Sequence, residues 1–175
     1  MTLSVLNAIT SRVSVNRFQP DRPLEDETIA ELIALSTKAP SAFNMQNWRF
    51  IAVRTPEGKA RLKAAAYGQQ KITDASVAFI VIGQLAAHEQ LAAALKPSVD
   101  AQIMPQRMVD GWVSQATASH ENDRVLQRDE AVRSASLASM TLMLAAEGMN
   151  LGSCPMIGFD AGQIGRDFAL SANEL

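Results

Sequence analysis

The sequence predicts an α+β domain with few strands, and two observations carry that reading. Only two short runs, Trp48 to Arg54 and Val77 to Ile82, are apolar and rich in β-branched residues between turn signals. Most of the remaining chain spaces its apolar residues for helices. With 175 residues, one hydrophobic core is affordable without staples, and no repeat, low-complexity tract or linker divides the chain.

Val5, Leu6 and Ile9 mark one face of a short first helix that ends at the polar-basic patch from Arg12 to Arg17. Pro20 and Pro23 punctuate the next loop. Glu25, Asp26 and Glu27 suit a helix start because the dipole favours acidic side chains there. Ile29, Leu32, Ile33 and Ser36 form that helix's inner stripe until Pro40, which has no N–H to donate, stops it. After the strand at Trp48, Thr55 and Pro56 read as N-cap and first helical residue, and Gly68 closes the helix. The uninterrupted run at Val77 predicts a strand covered on both faces.

From Leu85 onward the chain is mostly helical, with Pro97 and Pro105 dividing the stretch up to Trp112. A long helix is expected from about Asp123 to Glu147. Val132, Leu137, Met140 and Leu144, with small residues between them, make it apolar over much of its circumference, so it is either central or buried in a subunit interface. Gly148 and Gly152 break it, Leu151 to Phe159 returns as strand or extended loop, and Asp160 with Gln163 opens the last helix.

Composition excludes several classes. A formal net charge of -2 gives no electrostatic case for nucleic acid. The lone Cys154 allows neither a disulfide framework nor a cysteine-based zinc cluster within one chain. There is no recognisable export signal and no 18-residue uncharged apolar run, so a soluble, cytoplasmic protein is expected. The glycines at 158, 162 and 165 lack dinucleotide-loop spacing, and no phosphate-binding G-x-x-x-x-G-K-[ST] occurs. His88 and His120 read as solvated or capping residues, and no metal spacing is present. Cys154, beside Pro155 and Met156, reads as an inert buried thiol. With no nucleophile, acid-base pair or metal in evidence, an enzyme built on this chain needs a cofactor to carry its chemistry.

Three patches bear polar chemistry. Ser41, Asn44, Gln46 and Asn47 crowd uncharged donors and acceptors before the strand at Trp48, suiting a neutral planar ligand or a loop that satisfies its own backbone. Arg12, Ser14 and Asn16 suit a phosphate with neighbouring hydroxyls, or a solvated basic face. Gln69, Gln70 and Lys71 place amides and a cation where a planar heterocycle gaining negative charge would be stabilised.

Together with Ser153-Cys154-Pro155-Met156-Ile157-Gly158-Phe159-Asp160, these patches resemble the FMN-dependent nitroreductase family over nearly the whole chain. The run Ala39-Pro40-Ser41-Ala42-Phe43-Asn44-Met45-Gln46-Asn47-Trp48 is the most specific part. The resemblance implies a single domain over 1–175 with a three-layer fold, a central, mostly antiparallel sheet flanked by helices, in an intertwined homodimer with FMN at the interface. It implies that Arg12 holds the FMN phosphate, with Val13, Ser14 and Asn16 along the phosphate, ribityl chain and pyrimidine edge. Pro40, Ser41, Ala42 and Asn44 would come from the partner subunit, as would Ser134 on the long helix. Gln70 and Lys71 would meet the pyrimidine side, and Pro155, Met156, Ile157 and Gly158 would pass the N5 edge. Phe43 and Trp112 are either walls of the substrate channel or core.

The implied reaction is ping-pong: NADH or NADPH gives a hydride to flavin N5, and a nitroaromatic, quinone or similar acceptor takes it. No catalytic side chain and no metal is required. The alternative is a non-catalytic flavin-binding sensor or carrier of the same fold, and beyond that an interaction protein without cofactor. The family often has Lys or Arg where Asn16 stands, which lowers the charge there unless Arg17 substitutes. Relatives continue past the position of Leu175 with a further strand and an arm that wraps the partner, so those parts are expected to be missing from these 175 residues.

Overall fold

The structure, a computed structural model, describes residues 4–175. In chain order the elements are α1 (Val5–Ser11), α2 (Asp26–Ser36), β1 (Trp48–Val53), α3 (Pro56–Ala65), α4 (Lys71–Asp74) and β2 (Ala78–Gly83), then α5 (Leu91–Asp100), α6 (Gln106–His120), α7 (Arg124–Gly148) and α8 (Ala161–Asp167). β1 and β2 pair antiparallel, and Glu174 forms an antiparallel bridge with Gln84. The result is helix-rich α+β, as the two strand signals require.

The chain divides into two compact units, one of residues 1–38, 50–81 and 139–172, the other of 39–49, 82–138 and 173–175. In the first, Val53, Leu62, Ala65, Ala66, Ile72 and Ile164 form the buried core. Local signals explain its frame. The Thr55 side chain accepts a hydrogen bond from Gly58 N, Pro56 opens α3, and Tyr67 (φ 54) with Gly68 (φ 75) turns the chain out of it. Asp160 caps α8 by accepting from Gln163 N at 2.9 Å. In the second unit Met45, Leu91, Leu95, Val109 and Ala116 form the core.

Several local expectations need correcting. Pro97 lies inside α5 rather than dividing the stretch. It forgoes the N–H that would bond Ala93 O and sets its ring against that carbonyl, a local cost that the helix carries without ending there. α7 runs through Gly148 and ends where Asn150 adopts φ 58. Its buried residues are Gln127, Ala131, Ser134, Ala138, Leu142 and Ala146, whereas Val132, Leu137 and Met140 are exposed, so the inward face is mostly small residues and several large apolar ones face outward. β2 is only half-buried over Ala78 to Val81, not covered on both faces. Of the two forms expected for residues 151–159, the structure takes the extended loop, with one bridge, Ser14 to Ser153. Among the described residues no helix is long and apolar enough to cross a membrane.

Candidate functional site

The residues singled out by sequence fall into two sets, each within one compact unit. In the first, Arg12 caps α1, its N–H bonding Ala8 O at 3.1 Å, and the chain leaves extended through Val13 and Ser14. Val15 N then donates to Ser153 O at 3.0 Å, which ties this segment to the 151–159 loop. That approach needs Gly152: a Cβ there would sit 2.7 Å from Val15 Cγ2. Two further contacts draw in α4 and the residues before it. Gln69 Nε2 donates to Gly158 O at 2.7 Å, and the Lys71 ammonium meets Cys154 Sγ at 3.5 Å.

Three segments far apart in sequence therefore converge, bringing together Arg12, Val13, Ser14, Lys71 and the Pro155-to-Gly158 loop. Arg12 Nη1 is buried without a hydrogen-bond partner, as is Ser153 Oγ. Among the described residues neither Arg12 nor Lys71 enters an ion pair. A buried guanidinium nitrogen without an acceptor is costly unless an anion meets it, so this set is built to accept negative charge. Met156 packs on the core, whereas Ile157 is 95% exposed and Asn16 is exposed. The Gln70 amide is engaged by Lys63 Nζ (2.6 Å) and Asp74 Oδ1 (2.7 Å). Gln69, its neighbour in the same polar patch, is the one that reaches the 151–159 loop.

Cys154 departs from the sequence reading. It is half-buried beside an ammonium rather than buried among apolar groups, because the fold brings Lys71 to it from 83 residues away.

The second set lies around Pro40. The Ser41 hydroxyl accepts from Gln46 N at 2.9 Å, so part of the loop's polarity does satisfy its own backbone. Phe43, Asn44 and Gln46 all take left-handed backbone conformations (φ 52, 54 and 50). Pro40, Ser41 and Ala42 line a cavity of about 270 Å³ with Ser134, Leu137, Glu130 and Arg133 of α7. Ser134 is 1% exposed and forms part of its wall, and Arg133 pairs with Glu130 at the same cavity. Spacing on α7 alone did not single out Glu130 or Arg133. Glu130 lies four residues before Ser134, and Arg133 lies three after Glu130 and four before Leu137, the helical spacing that would have placed them there.

Phe43 packs edge-on against Trp112 of α6, with centroids 6.4 Å apart. It packs in the same way against His120 (6.4 Å), which in turn lies 5.8 Å from His88. Both histidines are 4% exposed. They are buried rather than solvated, because α6 and the turn before α5 fold together, and His120 Nδ1 bonds Ala116 O at the C-terminal end of α6.

Comparison with known proteins places this geometry. The sequence profile of the nitroreductase family matches residues 9–174. The chain belongs to the nitroreductase family. MhqN of Bacillus subtilis, which carries an NAD(P)H nitroreductase name, is 35% identical over 159 residues, covering 90% of this chain and 77% of that protein. DrgA of Synechocystis is 33% identical, covering 98% and 79%. The nitroreductase-family structure of ydfN from Bacillus subtilis superposes with a TM-score of 0.90 at 32% identity, over 97% of this chain and 83% of that one. A nitroreductase-family protein of Exiguobacterium sibiricum, solved in complex with FMN, gives 0.92 at 27% identity, over 98% and 82%. The α+β nitroreductase fold expected from the sequence is therefore the fold of this chain.

Proposed function

We propose that this nitroreductase-family chain is an FMN-dependent NAD(P)H oxidoreductase that reduces nitroaromatics, quinones or similar acceptors. The convergence of Arg12, Lys71 and the Ser153-to-Gly158 loop carries the reading. It supplies a buried guanidinium nitrogen with no partner and a second cation with no carboxylate, which fits a phosphate at one end of a ligand and a ring gaining negative charge at the other. The FMN complex of the Exiguobacterium relative and the NAD(P)H nitroreductase name of MhqN agree with it.

Bound FMN supplies the hydride relay from NADH or NADPH to the acceptor. The chain binds, orients and stabilises. Arg12 holds the phosphate, with Val13, Ser14 and Asn16 alongside. Lys71 sets positive charge against the pyrimidine edge, with Gln70 beside it, and lowers the cost of charge developing there. Pro155, Met156, Ile157 and Gly158 border the N5 edge. Pro40, Ser41, Ala42, Asn44 and Ser134 come from the partner subunit of a homodimer and exclude water from the ring, while Phe43 and Trp112 wall the acceptor channel. Exposed Val5, Leu6 and Ile9 on α1 (72%, 75% and 54%), and Val132, Leu137 and Met140 on α7, support a subunit interface. The single cysteine is in keeping with a cytoplasmic setting.

Initial-rate kinetics test the proposal. With FMN-reconstituted protein, double-reciprocal plots for NADH or NADPH at several menadione concentrations should be parallel lines. Intersecting lines, or no FMN-dependent turnover with either nicotinamide, would refute it.

A further inference from the structure

Phe43 poses a physical problem. A bulky aromatic at φ 52 and ψ 15 is strained, and such a residue keeps that backbone only when its side chain is held firmly. Two rings hold it edge-on: Trp112 at 6.4 Å and 70°, and His120 at 6.4 Å and 76°. His120 is itself fixed. Its Nδ1 lies 3.0 Å from Ala116 O and 2.8 Å from Ser119 Oγ, and since a carbonyl only accepts, Nδ1 carries the proton and donates. Nε2 is then a bare acceptor, buried without a partner. Gln127 Nε2 clamps the same residue by donating to His120 O at 2.6 Å. His88 backs the ring at 5.8 Å and a tilt of 30°.

An imidazole kept in the core with an unsatisfied nitrogen is a costly way to fill space that an aliphatic side chain such as Leu would fill without penalty. What it adds is a flat, oriented edge against Phe43. We propose that His120 is a positioning residue: backed by His88, it fixes the Phe43 ring and so sets the width of the acceptor channel. Ala42, next to Phe43 in the chain, lines the 270 Å³ cavity with Ser134, so one peptide link joins the residue whose ring is held to that wall. The inference rests on the reading of Phe43 as a channel wall given above, and it assigns the size limit on the acceptor to a residue that does not touch it.

The test uses FMN-loaded wild type, His120→Leu, His88→Leu and His120→Phe. Dissociation constants for the redox-inert probes benzoate and naphthoate are read from their perturbation of the flavin spectrum. Reoxidation rates of the photoreduced proteins by benzoquinone and menadione are read beside them. His120→Leu should favour the larger member of each pair by about fivefold relative to wild type, the size of one lost edge-to-face contact. His88→Leu should move the ratio the same way by less, and His120→Phe, which keeps a ring edge, should retain the wild-type ratio. Ratios within about twofold of wild type in both Leu variants, loss of folding in both, or a Phe variant that follows Leu would overturn the proposal. If wild type takes no FMN, the functional reading beneath it falls instead.

Discussion

Arg49 and Glu174 form a two-pronged ion pair, Nε to Oε1 at 2.6 Å and Nη2 to Oε2 at 2.9 Å, joining the start of β1 to residues 173–175. Glu174 is 8% exposed there, and the pair raises the Arg49 pKa above its ordinary value through the hydrogen bond to Glu174. The backbone repeats the tie: Gly83 N donates to Leu175 O at 2.9 Å, and Leu175 N to Gly83 O at 3.0 Å. A forked guanidinium-carboxylate pair of this kind is stronger than a point-charge contact. Arg49→Met should lower stability by about 1–3 kcal/mol in urea unfolding, and Arg49→Lys should recover only part of it. Equal stability of Arg49→Met and wild type would show that the pair contributes nothing.

Loss of the α3 cap is a purely local change. Thr55→Ala removes the acceptor for Gly58 N, a 3.1 Å bond, and should cost about 1 kcal/mol by thermal unfolding, whereas Thr55→Ser should be close to wild type.

Arg12 is expected to act on the phosphate and on nothing else in the flavin. Arg12→Ala should weaken FMN about 10- to 100-fold by equilibrium dialysis while leaving riboflavin, which has no phosphate, unchanged. Its exposed neighbours and half-buried stem make a large folding defect unexpected. Parallel loss of both ligands would place Arg12 elsewhere on the cofactor.

How much of this was legible beforehand differs by scale. The Thr55-Pro56 start, the Asp160 cap and the length of α7 are local chemistry, and the sequence shows them. The inward face of α7 was not legible, because its small residues Ala131, Ser134 and Ala138 pack close while Val132, Leu137 and Met140 turn outward, the reverse of what hydrophobicity alone suggests. The four polar patches could be named residue by residue as candidates. Their contacts could not, since Lys71 to Cys154 and Gln69 to Gly158 span 83 and 89 residues. The burial of His88 and His120 was hidden for the same reason: each has polar sequence neighbours, and only the fold supplies Phe43.

Lys59 offers a pH test. Burial lowers its pKa below the ordinary lysine value, partly opposed by the charge of Asp74, and its ammonium bonds Ala75 O beside a groove of about 1000 Å³ along β1. The folded state then gives up this proton before the unfolded state does. Its contribution to stability should therefore rise as pH increases through the folded value toward the unfolded one near 10.4. An NMR titration of the Lys59 Cε signal should show a midpoint below about 10.4, and a midpoint at or above it would contradict the burial effect.

The central claim, that this chain passes reducing equivalents from nicotinamide through FMN, is tested most directly by one anaerobic spectrum. FMN-loaded protein mixed with NADH or NADPH should lose its yellow band and regain it on addition of menadione. Protein that takes up no FMN, or that stays yellow with both nicotinamides, would contradict the account.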